Sequence, residues 1–144
     1  MRVAQVVCSI VLLVISNGCA PVYVFSVDTR TLPESQREKM VARLLVVLHA
    51  HGYRWLGAAR RALGPIGCGQ DAADRETFEK DVGLAGWVWA HQFTCETVWH
   101  TVIVCSEGAV GEAQYLRDEI AEEFEYELAI GLLKLNTKYR VVLE

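Results

Sequence analysis

The five cysteines of this 144-residue chain, Cys8, Cys19, Cys68, Cys95 and Cys105, include no Cys-x-x-Cys, so the usual spacing of a dithiol redox centre or a zinc knuckle is missing. Basic charge is in deficit. Fourteen Lys and Arg against eighteen Asp and Glu leave a formal charge of -4, without the basic surplus of a general nucleic-acid binder. No Gly-x-Ser-x-Gly surrounds Ser106, which excludes a nucleophile elbow there. The glycine-rich stretch 64–69 lacks the Lys-Ser/Thr and the strand-to-helix setting of a phosphate loop. There is no internal repeat, and no block of Gly, Ser or Pro that would read as a linker or a disordered tail. The one long apolar run, Val3 to Ile15, is shorter than the roughly 20 residues a spanning helix needs.

That run follows Met1 and Arg2, a short positive start, which is the layout of an export signal. The alternatives are an uncleaved anchor extended through Val22 to Phe25, or a cut nearby by an ordinary signal peptidase. After the run comes Ser16-Asn17-Gly18-Cys19, a small residue directly before a cysteine. This tetrad resembles the lipobox of bacterial lipoproteins. Ser16 departs from the Leu usual three places before the cysteine, with Ile15 one place further back. The resemblance covers the first twenty residues and implies acylation of the Cys19 thiol, cleavage of residues 1–18 and a mature chain of 19–144. It also implies, through Ala20, an outer-membrane destination facing the periplasm. A di- or triacylated cysteine holds a protein stably where a single chain would not.

The mature chain has the length of one domain. Val22 to Val27 reads as a strand covered on most of both faces. Thr31-Leu32-Pro33-Glu34 reads as a capped start, with Pro33 in the first turn, for a helix whose stripe is Met40, Val41, Leu44, Leu45, Val47 and Leu48, ended by Gly52. Tyr53 to Ala58 reads as a second strand, with a helical continuation through Arg60 to Leu63 up to Gly64-Pro65 as the alternative, and a loop over Gly64 to Gln70 and a short helix over Asp71 to Asp81 follow. Trp87 to Val104 is too long for one strand and reads as a hairpin turning near Thr94 to Thr97. Glu112 to Leu135 has helical spacing, Asn136 ends it, and Tyr139 to Leu143 reads as a last strand. The order predicts an α+β fold, a ferredoxin-like split βαβ sandwich whose antiparallel sheet carries two main helices on one face.

With Cys19 acylated, an oxidising compartment favours one disulfide among the other cysteines, and the predicted topology puts Cys68 and Cys105 at one end of the sheet as the pair, with three buried free thiols as the alternative. His49 and His51 diverge around the helix by roughly 200 degrees, so no metal site is assigned. The acids Glu119, Glu122, Glu123, Glu125 and Glu127 read as a solvated helix face, and Ser106 as a cap. Trp87, Trp89, His91 and Phe93 alternate onto one face of the hairpin, as a core floor beneath the helices or as an interaction surface. No catalytic residue and no cofactor is assigned. The expectation is a membrane-tethered, non-enzymatic module with an envelope protein partner and no nucleic acid. The alternatives are a solute- or metal-binding lipoprotein, or a small hydrolase or redox enzyme using Cys95 or Ser106 with His91 or His100.

Overall fold

A computed structural model describes residues 22–57 and 73–137. The expected signal and Cys19, the 64–70 loop with Cys68, and the expected last strand at 139–143 lie outside them. In chain order the elements are β1 (Tyr23–Asp28), α1 (Glu34–Ala50), β2 (Arg54–Gly57), β3 (Ala73–Asp81), β4 (Trp87–Cys95), β5 (Val98–Cys105), α2 (Val110–Glu123), α3 (Glu125–Ala129) and β6 (Lys134–Asn136). They form an α+β fold built on an open, six-stranded antiparallel sheet in the order β2-β3-β4-β5-β1-β6.

β1 lies between β5 and β6, and all but its polar residues Ser26 and Asp28 are buried, as its alternating Val, Tyr and Phe require. α1 begins at Glu34 with Pro33 as its cap rather than inside its first turn, and Thr31 instead donates its hydroxyl to the Asp28 carbonyl. Its end is as expected. Gly52 takes φ 82, and the Tyr53 N–H reaches back to the Leu48 carbonyl at 3.0 Å.

One face of the sheet carries both main helices. Tyr23, Phe25, Val27, Phe78, Ala90, Trp99 and Ile103 rise from the strands to meet Leu44 and Leu48 of α1 and Leu116, Ile120 and Phe124 at α2. Arg43 clamps the two helices from outside this core. It pairs with Glu123 at 3.0 Å and with Glu127, and its guanidinium lies 4.5 Å from the centroid of Phe124.

Two predicted helices change. Residues 73–81 form β3, not a helix, because both flanks are paired, to β2 and β4, and Thr77, Glu79 and Lys80 find side-chain partners on neighbouring elements. Glu79 accepts from Arg54 and from the Trp89 indole, and Lys80 pairs with Glu112. This tertiary pairing outweighs the low strand propensity of Ala-Asp-Arg-Glu. The helix expected to run to Leu135 breaks at Phe124 (φ -105, ψ 26), where the ring turns into the core, and the chain turns again at Gly131 with φ 74. Residues 134–136 then join the sheet beside β1.

The additional strand begins at the end of β4 opposite Cys105. Ala73, five residues after Cys68, pairs with Thr94, whereas Cys105 pairs with Val88 at the other end of β4. The predicted Cys68–Cys105 bridge is therefore not formed: Cys105 is a free, buried thiol, which burial pushes up in pKa. No two cysteines among the described residues lie at disulfide distance.

Candidate functional site

β4 alternates Trp87, Trp89, His91, Phe93 and Cys95 onto the sheet face opposite the helices, which follows from the period of two along a strand. The bulky floor under the helices is built instead by Trp99, Phe25, Tyr23 and Phe78. Of the aromatic row, His91 (7% exposed) and Phe93 (5%) are buried, whereas Trp87 and Trp89 are half-buried. Only the two tryptophans present surface.

Their rings stack with centroids 4.0 Å apart and planes inclined by 24°. The Trp89 indole N–H donates to Glu79 Oε2 at 2.8 Å, which fixes its ring against β3. Trp89 meets His91 edge to face at 5.6 Å, and His91 Nδ1 lies 2.9 Å from the Thr77 hydroxyl. Burial pushes the His91 pKa down to about 4, so the ring is neutral at pH 7. Phe93 lies 5.3 Å from the His100 ring, which burial also holds below the ordinary histidine range. Val22, Val24, Val102 and Val104 complete a second apolar cluster on this face.

Beyond Trp87 the chain reverses through Val82-Gly83-Leu84-Ala85-Gly86, an uncharged turn with Leu84 fully exposed at its tip. Ser106 locks this turn. Its Oγ accepts the Trp87 N–H at 3.0 Å and donates to the Ala85 carbonyl at 3.2 Å, so its side chain serves the turn and makes no cap bond to the helix behind it. A Cβ on Gly86, which sits at φ 112, would come within 1.9 Å of that Oγ.

The other polar candidates are dispersed. His51 contacts Glu119 at 3.1 Å while His49 is exposed, and among the described residues no three His, Cys, Asp or Glu converge as metal ligands. Glu123 and Glu127 neutralise Arg43, whose hydrogen bonds hold the Glu127 carboxyl below its ordinary range despite the opposing effect of its burial. Ser106 is bonded to the Trp87 N–H at one end of the sheet, whereas His91 pairs with Val102 and His100 with Phe93 further along it, so Ser106 is not brought together with either histidine.

A cleft of about 390 Å³ opens between α1 and the β3–β4 half of the sheet. Arg37, Val41 and Leu45 form its wall, and Gln92, Thr94 and Glu76 its floor. The Gln92 Nε2 and Thr94 Oγ1 atoms there are buried without hydrogen-bond partners. Neither this cleft nor Leu84 and Glu79 was singled out from the sequence. The uncharged turn between a polar strand and a Trp-rich one was the legible signal for Leu84; nothing marked the cleft, since its lining comes from four separate elements.

No family model, no curated protein and no solved structure matches the chain. Among the described residues no helix is long and apolar enough to cross a membrane.

Proposed function

We propose that the chain is a lipid-anchored cell-envelope domain, tethered at the outer membrane through Cys19 and facing the periplasm, which docks another envelope protein without catalysing a reaction. The observation that carries this reading is where the chain enters the sheet. Val22, three residues after Cys19, is already buried at 2% exposure and Tyr23 begins β1, so the tether spans at most about 10 Å. A fold held this close to its lipid has a fixed near side and far side.

The partner-facing side is the end of the helical layer. β5 ends at the same edge of the sheet where β1 begins, so α2 runs away from the tether and delivers α3 to the far side. There Tyr126 (71% exposed) and Ile130 (57%) stand among the exposed acids Glu122 and Glu125. An aromatic and an aliphatic anchor within an acidic rim suit a partner with a basic surface. The strand order β6-β1-β5-β4 with α1 and α2 supports reading the core as a ferredoxin-like split βαβ sandwich, with β2 and β3 as a hairpin added at one edge. A photo-reactive residue placed at Tyr126 is expected to cross-link one discrete envelope protein in intact cells, and the same residue at Val46 is not. Equal or absent products at both sites would remove the docking role.

A second reading, a solute-binding lipoprotein, is favoured by the unpartnered Gln92 and Thr94 atoms in the α1 cleft, which offer polar groups beside the apolar side chains of Val41 and Leu45. Amide shifts confined to Gln92, Thr94 and Val41 on titration with a small-molecule panel would support it; no shift would leave the cleft to water.

A further inference from the structure

The strand register places the exposed apolar turn on the tether side of the molecule. Tyr23 pairs with Ile103 and Ile103 with Ala90, so Val22 falls in the row of Val104 and Trp89. Trp87 is the next residue of that face outward, and the turn carrying Leu84 lies just beyond it. The chain coming from Cys19 thus enters at the same end of the sheet as the turn. Val22 belongs to the apolar cluster of the face that carries Trp87 and Trp89. β5 alone separates β1 from β4, a lateral offset of about 10 Å.

The apolar side chains of this corner suit a lipid surface, and the acids that flank them, Asp81 at the foot of the turn and Glu107 beside Ser106, are exposed at its margin. Leu84 is fully exposed on a turn without a charged residue, a conformation locked by Ser106 and by Gly108, whose Cα packs against Ala85 so closely that an added Cβ would lie 2.4 Å from its carbonyl oxygen. Trp87 and Trp89 follow, half-buried and stacked, with the Trp89 N–H already satisfied by Glu79. Indole rings favour the depth of the headgroups, and an exposed leucine favours the acyl boundary below them. A protein partner would explain an apolar patch equally well in isolation. The three-residue link to the acylated cysteine is what selects the bilayer, because it leaves this corner no room for a domain in between.

We propose that Leu84, Trp87 and Trp89 form a bilayer-seating surface, which rests in the headgroup region of the membrane that holds the Cys19 lipid and sets the orientation of the domain. This rests on the lipid-anchored reading, with which it shares the tether but not the contact. The test uses the full chain, processed in a Gram-negative host and reconstituted into vesicles of phosphatidylethanolamine and phosphatidylglycerol. A nitroxide is attached at Leu84→Cys or, as a control, at Val46→Cys on the exposed face of α1. Both native side chains are exposed, and circular dichroism checks that each variant is folded. Relaxation by oxygen, relative to a water-soluble nickel chelate, is expected to be about threefold or more higher at 84 than at 46 in vesicles, and equal at the two sites in detergent-free, delipidated protein. Protein that floats with the vesicles but gives equal ratios at both sites overturns the seating surface and leaves the anchor standing. Protein that does not float overturns both.

Discussion

The Thr77 hydroxyl lies 2.9 Å from His91 Nδ1 across β3 and β4, and it is the side-chain hydrogen bond that the buried imidazole makes among the described residues. Burial holds the ring neutral, with a pKa of about 4 against an ordinary value of 6.5. Between these values the unfolded chain binds a proton that the folded chain does not, so stability falls as pH drops from about 6.5 towards 4 and is fully present above that window. The His91 contribution is at most about 3 kcal/mol. Urea unfolding at a series of pH values should show this slope, and His91→Gln should flatten it; an unchanged slope would mean that His91 is protonated without penalty.

Arg43 is the polar link between the helices. Arg43→Met keeps much of the side-chain volume and removes the pairs with Glu123 and Glu127, leaving the partly buried Glu127 carboxylate without its cation. After discounting for the exposure of the Glu123 pair, the expected loss is about 1–2 kcal/mol. Thermal unfolding measures it. Glu123→Gln alone should cost less than half as much, and the reverse order would place the stabilising charge pair at the exposed site.

Gly86 combines φ 112 with the close approach of Ser106. Gly86→Ala should destabilise the domain by about 3 kcal/mol, from backbone strain and overpacking together. Adding Ser106→Gly should relieve the steric part and leave the strain, so the double variant should be more stable than Gly86→Ala alone. Denaturant midpoints decide this, and strict additivity of the two losses would rule out the contact.

Cys105 is buried and its thiol is held in the protonated form by that burial. Iodoacetamide at pH 8 should leave it unmodified in the native protein and alkylate it once the protein is unfolded, as read by peptide mass mapping. Rapid native labelling would place the β5 end of the sheet in solvent.

Much of this fold was legible because strong patterns coincide with local structure. Val22 to Val27 and Trp87 to Val104 are strands by composition, Met40 to Leu48 has the helical stripe, and Gly52 stops it with a positive φ. The failures share a cause. β3 has little strand propensity of its own and exists through pairing on both edges, so residues 73–81 read as a helix. Missing that strand inverted which end of the sheet Cys105 and Ala73 occupy, and the disulfide assignment failed with it. The break at Phe124 was hidden because Leu128 and Leu132 continue the helical spacing while packing against the core from a new direction. Alternation placed Trp87, Trp89, His91 and Phe93 on one face, but which face the helices cover is a property of chain crossover, and only the structure supplies it.

The proposed tether at Cys19 fixes everything else about how the domain is placed. Intact mass and membrane fractionation of the protein made in a Gram-negative host, beside a Cys19→Ala variant, test it in one experiment. Loss of the mass of residues 1–18, gain of acyl chains and recovery in the outer-membrane fraction are expected, all abolished by the substitution. An unprocessed, unacylated mass for both proteins would contradict the tether.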